Sequence, residues 1–301
     1  MTFATGGQHG LLYTEETVFG EVPPVPQMTV LRHTSCDIGL SKTLLESDEI
    51  REGRQPGPVI HGQSRVSGDV GIELAYGAFD GLLAAVMQSD WSSDILTTGA
   101  SQPSFTLERV FSDITTYQRL TGCVVDKLSL SVKPDTLVRG EFSVIGQAAS
   151  YATGALDATP TAAATSAPFD SFSASLLEDG NPLAIVAGLE LQIDNDLAPN
   201  FVVGDAAVSS IYAGKSKVSG EILCFFENAD LLEKFRSETA SSLQITLASS
   251  AGDLILTLPD ILYTGAEAAV PGEGPITLVL PFMARYDANA GSNLIITRNA
   301  A

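Results

Sequence analysis

Three histidines, three cysteines and two short polar strings are the residues of this chain whose types invite a chemical reading. His9, His33 and His61 have no ligand-like spacing, and none sits in a cysteine or carboxylate pattern that holds zinc. His33 and His61 read as ordinary surface or sheet-edge residues. Cys36, Cys123 and Cys224 are odd in number, far apart and without a C-x-x-C step. They read as small buried hydrophobes in a reducing compartment. Ala213-Gly214-Lys215-Ser216 looks like the end of a phosphate-binding loop, but that loop needs an earlier glycine where Ser209 stands. Its lysine must also open a helix, whereas the sequence from Lys217 reads as a strand. Asp194-Asn195-Asp196 lacks the downstream glycine and glutamate of a calcium loop and reads as a turn. No G-x-S-x-G elbow occurs. No cofactor, metal or catalytic site is expected, and an enzyme is disfavoured by absence of signal alone.

The elements that carry these residues repeat. Gly62-Gln63-Ser64-Arg65-Val66-Ser67-Gly68-Asp69-Val70 returns as Gly214-Lys215-Ser216-Lys217-Val218-Ser219-Gly220-Glu221-Ile222, with five of nine positions identical. A long-period repeat is the mark of one folding unit used twice. The motif residues are Val66, Ser67 and Gly68 in the first copy and Val218, Ser219 and Gly220 in the second. Each copy is followed by a strand, an acidic N-cap candidate (Asp80, Asp230) and a Leu-Leu pair that starts a short helix. Further strands are expected at 105–111, 124–132 and 137–145, and again at 243–247, 253–258 and 276–282. Asp179-Gly180-Asn181-Pro182 is a turn signal, and a hairpin is expected between the strands on either side of it. The expected fold class is mainly β: two tandem related β-sandwich or half-barrel domains, each with a short flanking α-helix.

Composition bounds the organisation. The 301 residues are 45% hydrophobic and 17% charged, with a formal net charge of −20, which describes a globular chain with real cores. That acidity argues against phosphate-neutralising nucleic-acid recognition and against an anionic membrane surface. Met1 to Gly10 has neither the basic region nor the apolar core of a secretory signal, so synthesis in the cytosol is expected. Residues 1–26 read as an N-terminal arm, because Pro23, Pro24 and Pro26 deny regular structure. The first unit is expected over 27–150, an Ala/Thr/Ser-rich linker over 151–168, and the second unit over 169–301. Leu45 to Pro58, charged and then Gly/Pro-rich between two strands, reads as a long exposed hairpin loop.

Three strings then fall in order: Glu49-Ile50-Arg51-Glu52-Gly53-Arg54-Gln55, Val66-Ser67-Gly68-Asp69-Val70, and Tyr76-Gly77-Ala78-Phe79-Asp80-Gly81-Leu82-Leu83. Together they resemble the tail tube proteins of long-tailed bacteriophages, with an acidic-and-arginine loop, a V-x-G strand and a YG-x-FD-x-LL helix start. Leu183 to Asn195, Ser219 to Ile222 and Leu256 to Pro259 are similar to the second half of that family. The spelling Arg-Glu-Gly-Arg at 51–54 departs from the commoner Arg-Ser-Asp-Arg.

The resemblance implies a structural subunit whose rings stack into a hollow tube through which the genome passes, located in the virion tail, and the net charge of −20 points to an acidic bore. Its partners would be copies of itself, other tail proteins at the tube ends, and double-stranded DNA in transit without specific binding; no membrane is involved. The loop residues expected to reach the next ring are Glu46, Asp48, Glu49, Arg51, Glu52 and Arg54. The bore candidates are the polar members of alternating strands: Glu190, Gln192 and Asp194; Lys127 and Ser129; Glu141 and Ser143. Six domains around an axis need only three chains of two units, so a trimeric, pseudo-sixfold ring is expected. Two rivals come from other classes: a secreted or surface β-sandwich adhesin, and a hydrolase with an unrecognised site. The unpaired cysteines count against the first and the missing catalytic constellation against the second.

Overall fold

In the computed structural model of the chain, residues 3–50, 52–55, 57–183, 185–270 and 272–301 are described. Alternation of apolar and polar residues produces long strands whose two faces differ. Thr116–Val132 is the pivot. Its first part pairs with Phe105–Phe111 and Ala148–Ala152, and its second part with Arg139–Gly146 and Val186–Asp194. Between the two parts a bulge at Val125/Lys127 bends the strand from one sheet into another. Asp126, buried at this bend, accepts a bond from the Leu197 amide (3.0 Å) and offers its carbonyl to Asn195 N–H (3.0 Å). Asn195 then donates to the Val86 carbonyl at 2.8 Å, so the 194–196 turn is locked to the end of the first helix.

One sheet runs through both halves of the chain. Its order is Gly39–Glu46, Val59–Glu73, Arg139–Gly146, 124–132, Val186–Asp194, Lys217–Phe225 and Thr277–Ala284, with 261–263 and Glu267–Ala269 on the far edge. Two outer layers pack behind it. The first contains Thr29–Val30, His9–Glu15, Phe105–Phe111, 116–123 and Ala148–Ala152. The second contains Ala174–Glu178, Ser241–Leu247, 252–258, Ile295–Ala300 and Ile95–Thr97. A single apolar core, from Leu11 to Ile296, fills the space between.

The two halves use the same order of pairings. In the first, 9–15 pairs with 105–111, 105–111 with 116–123, 124–132 with 139–146, 139–146 with 66–73, and 59–67 with 39–46. In the second, 174–178 pairs with 241–247, 241–247 with 254–261, 261–263 with 282–284, 277–283 with 219–225, and 217–224 with 186–194. Even a register shift recurs, at Phe105/Leu107 and at Ser241/Leu243. The helices α1 (Asp80–Met87) and α2 (Asp230–Arg236) follow the corresponding strands.

Several local expectations differ from the structure. Asp80 and Asp230 are the first helical residues and not caps; the N-cap positions are Phe79 and Ala229, without side-chain bonds. An acid in the first turn still meets the positive helix end, and the Asp80 carboxylate also pairs with Arg298. The 179–180 turn does close a hairpin, with Asp179 and Gly180 at positive φ, but its second arm is only Asn181–Pro182. Val186–Asp194 instead crosses to the long sheet. The proline-bearing arm starts with a strand, His9–Glu15, because Leu11 and Leu12 are buried against Phe105–Phe111. Beyond it, the buried carboxylate of Glu16 accepts bonds from Ser104 and Thr106 hydroxyls and from the Gly20 and Gly122 amides, all at 2.8–2.9 Å. Fully satisfied, it anchors the arm where an unpaired charge would be costly. Residues 161–169 run extended along the first half: Thr161 bonds to Met28 and Val30, Ser166 to Tyr76, and Phe169 to Leu74.

At the C-terminus, Arg298 ties the halves together. It pairs with Asp80 and with Asp94 (2.8 Å) and lies 4.1 Å over the Trp91 ring, a cation–π contact.

Candidate functional site

The antiparallel registers place every sequence-derived bore candidate on one face of the long sheet. Asp69, Ser143, Lys127, Asp194 and Lys217 form one cross-strand row. The next row is Gly71, Glu141, Ser129, Gln192, Ser219 and Met283, and the third is Glu73, Arg139, Ser131, Glu190, Glu221 and Pro281. Residues between these rows, such as Leu130, Leu191, Phe142 and Phe282, point into the core. The polar face is concave and encloses a cleft of about 730 Å³. Its makeup follows from period-2 alternation in strands with one wet face.

Two of the carboxylates on this face are paired with lysines. Lys127 bonds to Asp194 at 2.8 Å, and Lys133 to Glu190 at 3.2 Å. Partial burial pushes the Asp194 carboxyl up, but the Lys127 hydrogen bond, the Asp196 amide and the charges of Lys127 and Lys217 together outweigh it and hold the group below the usual range. The same bond raises Lys127, so both partners stay ionised. Glu141 is raised, first by desolvation and then by Asp69 and Asp37. Its three rows carry six acids, Asp69, Glu73, Glu141, Glu190, Asp194 and Glu221, against three bases, Lys127, Arg139 and Lys217, so the face is net acidic, although most of the net charge of −20 lies on other surfaces.

The repeated V-S-G motif is structural. Val66 and Val218 are fully buried. The two glycines answer different needs. Gly68 sits at φ +150°, and a side chain there would meet the Ile38 backbone at 2.6 Å. Gly220 has ordinary φ, but a Cβ would press on the Glu190 carbonyl and come within 2.6 Å of the Phe282 ring.

The loop expected from sequence is the turn of a long hairpin. Glu46 pairs with Val59 at its base, and Glu46, Asp48, Glu49, Glu52 and Arg54 are exposed. Arg51 lies outside the described residues. Asp69, Glu73, Arg139 and Glu221 belong to the polar face as well and were missed, although continuing the same alternation would have found them. Arg298 carries no local signal, since its partners are far away in sequence, and Glu16 has one local donor, the Gly20 amide, its other three being distant.

Both lateral edges of the long sheet lack a partner strand among the described residues. The outer side of Gly39–Glu46 is open, because that strand pairs only with 59–67. So is the outer side of Glu267–Ala269, which pairs only with 277–279. An open edge displays unpaired N–H and C=O groups, a template for another strand. Among the described residues no helix is long and apolar enough to cross a membrane.

Among curated proteins no match is found. The family description that fits the sequence is "Phage tail tube protein", matched over residues 6–284. An antiparallel β sheet with one wet concave face and open lateral edges suits a wall-forming subunit, and the chain belongs to the phage tail tube protein family, structural proteins of the virion tail.

Proposed function

We propose that three copies of this chain close a ring, that rings stack into a hollow tube, and that the polar concave face lines the bore through which DNA passes. The observation that carries this reading is the internal junction. Residues 127–132 of the first half pair with 189–194 of the second, Ser129 facing Gln192, so the sheet is continuous across the two halves.

The same junction can form between chains. Gly39 pairs with Ser67 as Gln192 pairs with Ser219. On the other side, Glu267 pairs with Val279 as Ser129 pairs with Glu141. The matched anchors are Gly68 with Val144 and Gly220 with Phe282. The two open edges are therefore the unsatisfied counterparts of the two strands already joined inside the chain. Two related units, near 27–150 and 169–301 and joined by 151–168, would alternate around the axis. A covalent link at every second junction raises its local concentration to about the millimolar range, which favours closure.

The bore reading rests on an excess of carboxylates over basic side chains on this face and on lysines that are already engaged. Lys127 and Lys133 are engaged by Asp194 and Glu190, so few cations are available to hold phosphates, whose neutralisation drives DNA binding. Negative-stain microscopy of the purified protein tests the reading. Rings and hollow tubes are the expected result; discrete particles under every assembly condition would contradict it.

A further inference from the structure

The two ends of the long sheet carry features that nothing in the fold requires. Strand Val59–Glu73 meets its neighbour 139–146 only from Val66 onward. Ser64 is tied to the Ala206 carbonyl at 2.7 Å, and residues 59–63 with their partners 44–46 extend beyond the sheet. Leu45 faces Ile60 across this overhang; they are 59% and 66% exposed, and Ile50 near the tip is 100% exposed. Exposed apolar clusters of this kind mark interaction sites.

At the opposite end lies an apolar groove of about 400 Å³, lined by Val132, Phe172, Leu176, Leu183, Val186 and Leu189. Antiparallel pairing fixes its location. Leu189 is level with Val132, at the end of the sheet away from Gly146 and Asp194. The groove and the overhang are separated by the length of the paired strands, roughly 20 Å for about seven residues at 3.3 Å each. Phe172 stands at the rim with 78% exposure. The rim charges Lys133 and Asp135 are of opposite sign, which leaves apolar fill to carry a contact. The volume lies within the ~300–1,000 Å³ range that takes a small ligand, enough for the side chains of a hairpin.

We propose that this groove receives the Leu45/Ile60 hairpin of a second copy of this chain. A knob and a socket on opposite ends of one molecule make a heterologous contact. Such a contact does not close and propagates along an axis, which is the geometry of stacking. The proposal rests on the tube reading above and adds to it which surface of one ring accepts the loop of the next.

The test uses the full chain carrying Cys36→Ser. Leu45→Cys and Phe172→Cys together are expected to give, under mild oxidation of tubes, covalent ladders longer than one ring. Leu45→Asp and Phe172→Asp, both at exposed positions, should each leave folded rings and reduce tube formation on the order of tenfold or more. Mixing the two kinds of ring should yield double rings, since each retains one working end, and nothing longer. Tubes of normal length from either aspartate variant, or tubes of the cysteine pair that do not cross-link, would overturn the proposal. So would normal F172D tubes that fail only to join other tail components, because the groove would then serve a different protein. An unmodified chain that forms no tubes would instead sink the tube reading itself.

Discussion

Cysteines placed at Gly39 and Glu267 are expected to join neighbouring chains into a closed covalent trimer. The template is inside the molecule, where Ser129 faces Gln192 across the antiparallel junction. Directly opposed residues have Cα atoms about 4.5–5.5 Å apart, within the ~4.4–6.8 Å that a disulfide spans. Gly39 accepts a side chain, since a Cβ there meets nothing closer than the Asp37 carbonyl at 3.8 Å. The two positions lie on opposite edges of one sheet, so a bridge within one chain is excluded. Ser129→Cys with Gln192→Cys serves as the control and should close inside the chain. Non-reducing electrophoresis of oxidised tubes reads the outcome directly. A band at three chains is expected; a band at six, or no link in intact tubes, would refute the register.

Deleting Ser47 to Gln55 should have an equally large effect of a different kind. The described residues of this segment are all exposed, and none belongs to the core. Shortening a surface loop changes closure entropy by only about 0.6 kcal/mol per twofold change in length. The melting temperature is therefore expected to stay within a few degrees, roughly the shift for one kcal/mol in a chain of this size. Polymerisation should nevertheless stop at single rings, since the tip and the support for the Leu45/Ile60 pair are lost. Thermal melting followed by circular dichroism checks the first half and tube length in negative stain the second. Normal tubes from the deletion would remove the hairpin from the assembly mechanism.

Much of this architecture is legible along the chain because strands with one wet face write their own pattern. Leu128, Leu130 and Val132 against Lys127, Ser129 and Ser131 announce both the strand and its polar side. The repeat at Val66 and Val218 points to matching surroundings, and the matching order of strand pairings follows it. What does not show is which strand lies beside which. The 179–180 turn reads correctly as a hairpin, yet Val186–Asp194 leaves it to pair with 127–132. That choice depends on burial against residues far away in sequence, and β preference is set by such neighbours more than by the backbone. The prolines dominate the sequence of the arm and mask the seven-residue strand ahead of them, His9–Glu15. Glu16 is buried only because four donors converge on it from three other places in the chain. The acidity of the whole chain recurs on the concave face, where six carboxylates outnumber three basic side chains, while the pairing of Asp194 and Glu190 with lysines shows only in the fold.

The central claim, that one chain supplies two equivalent wall segments, is tested most directly by a cryo-EM cross-section of an assembled tube. The account predicts three chains per ring, a continuous inner sheet to which each chain contributes the strands from Gly39–Glu46 through Glu267–Ala269, and Glu141, Glu190 and Asp194 facing the lumen. Six chains per ring, or residues 169–301 projecting outward from a wall built by the first half alone, would contradict it.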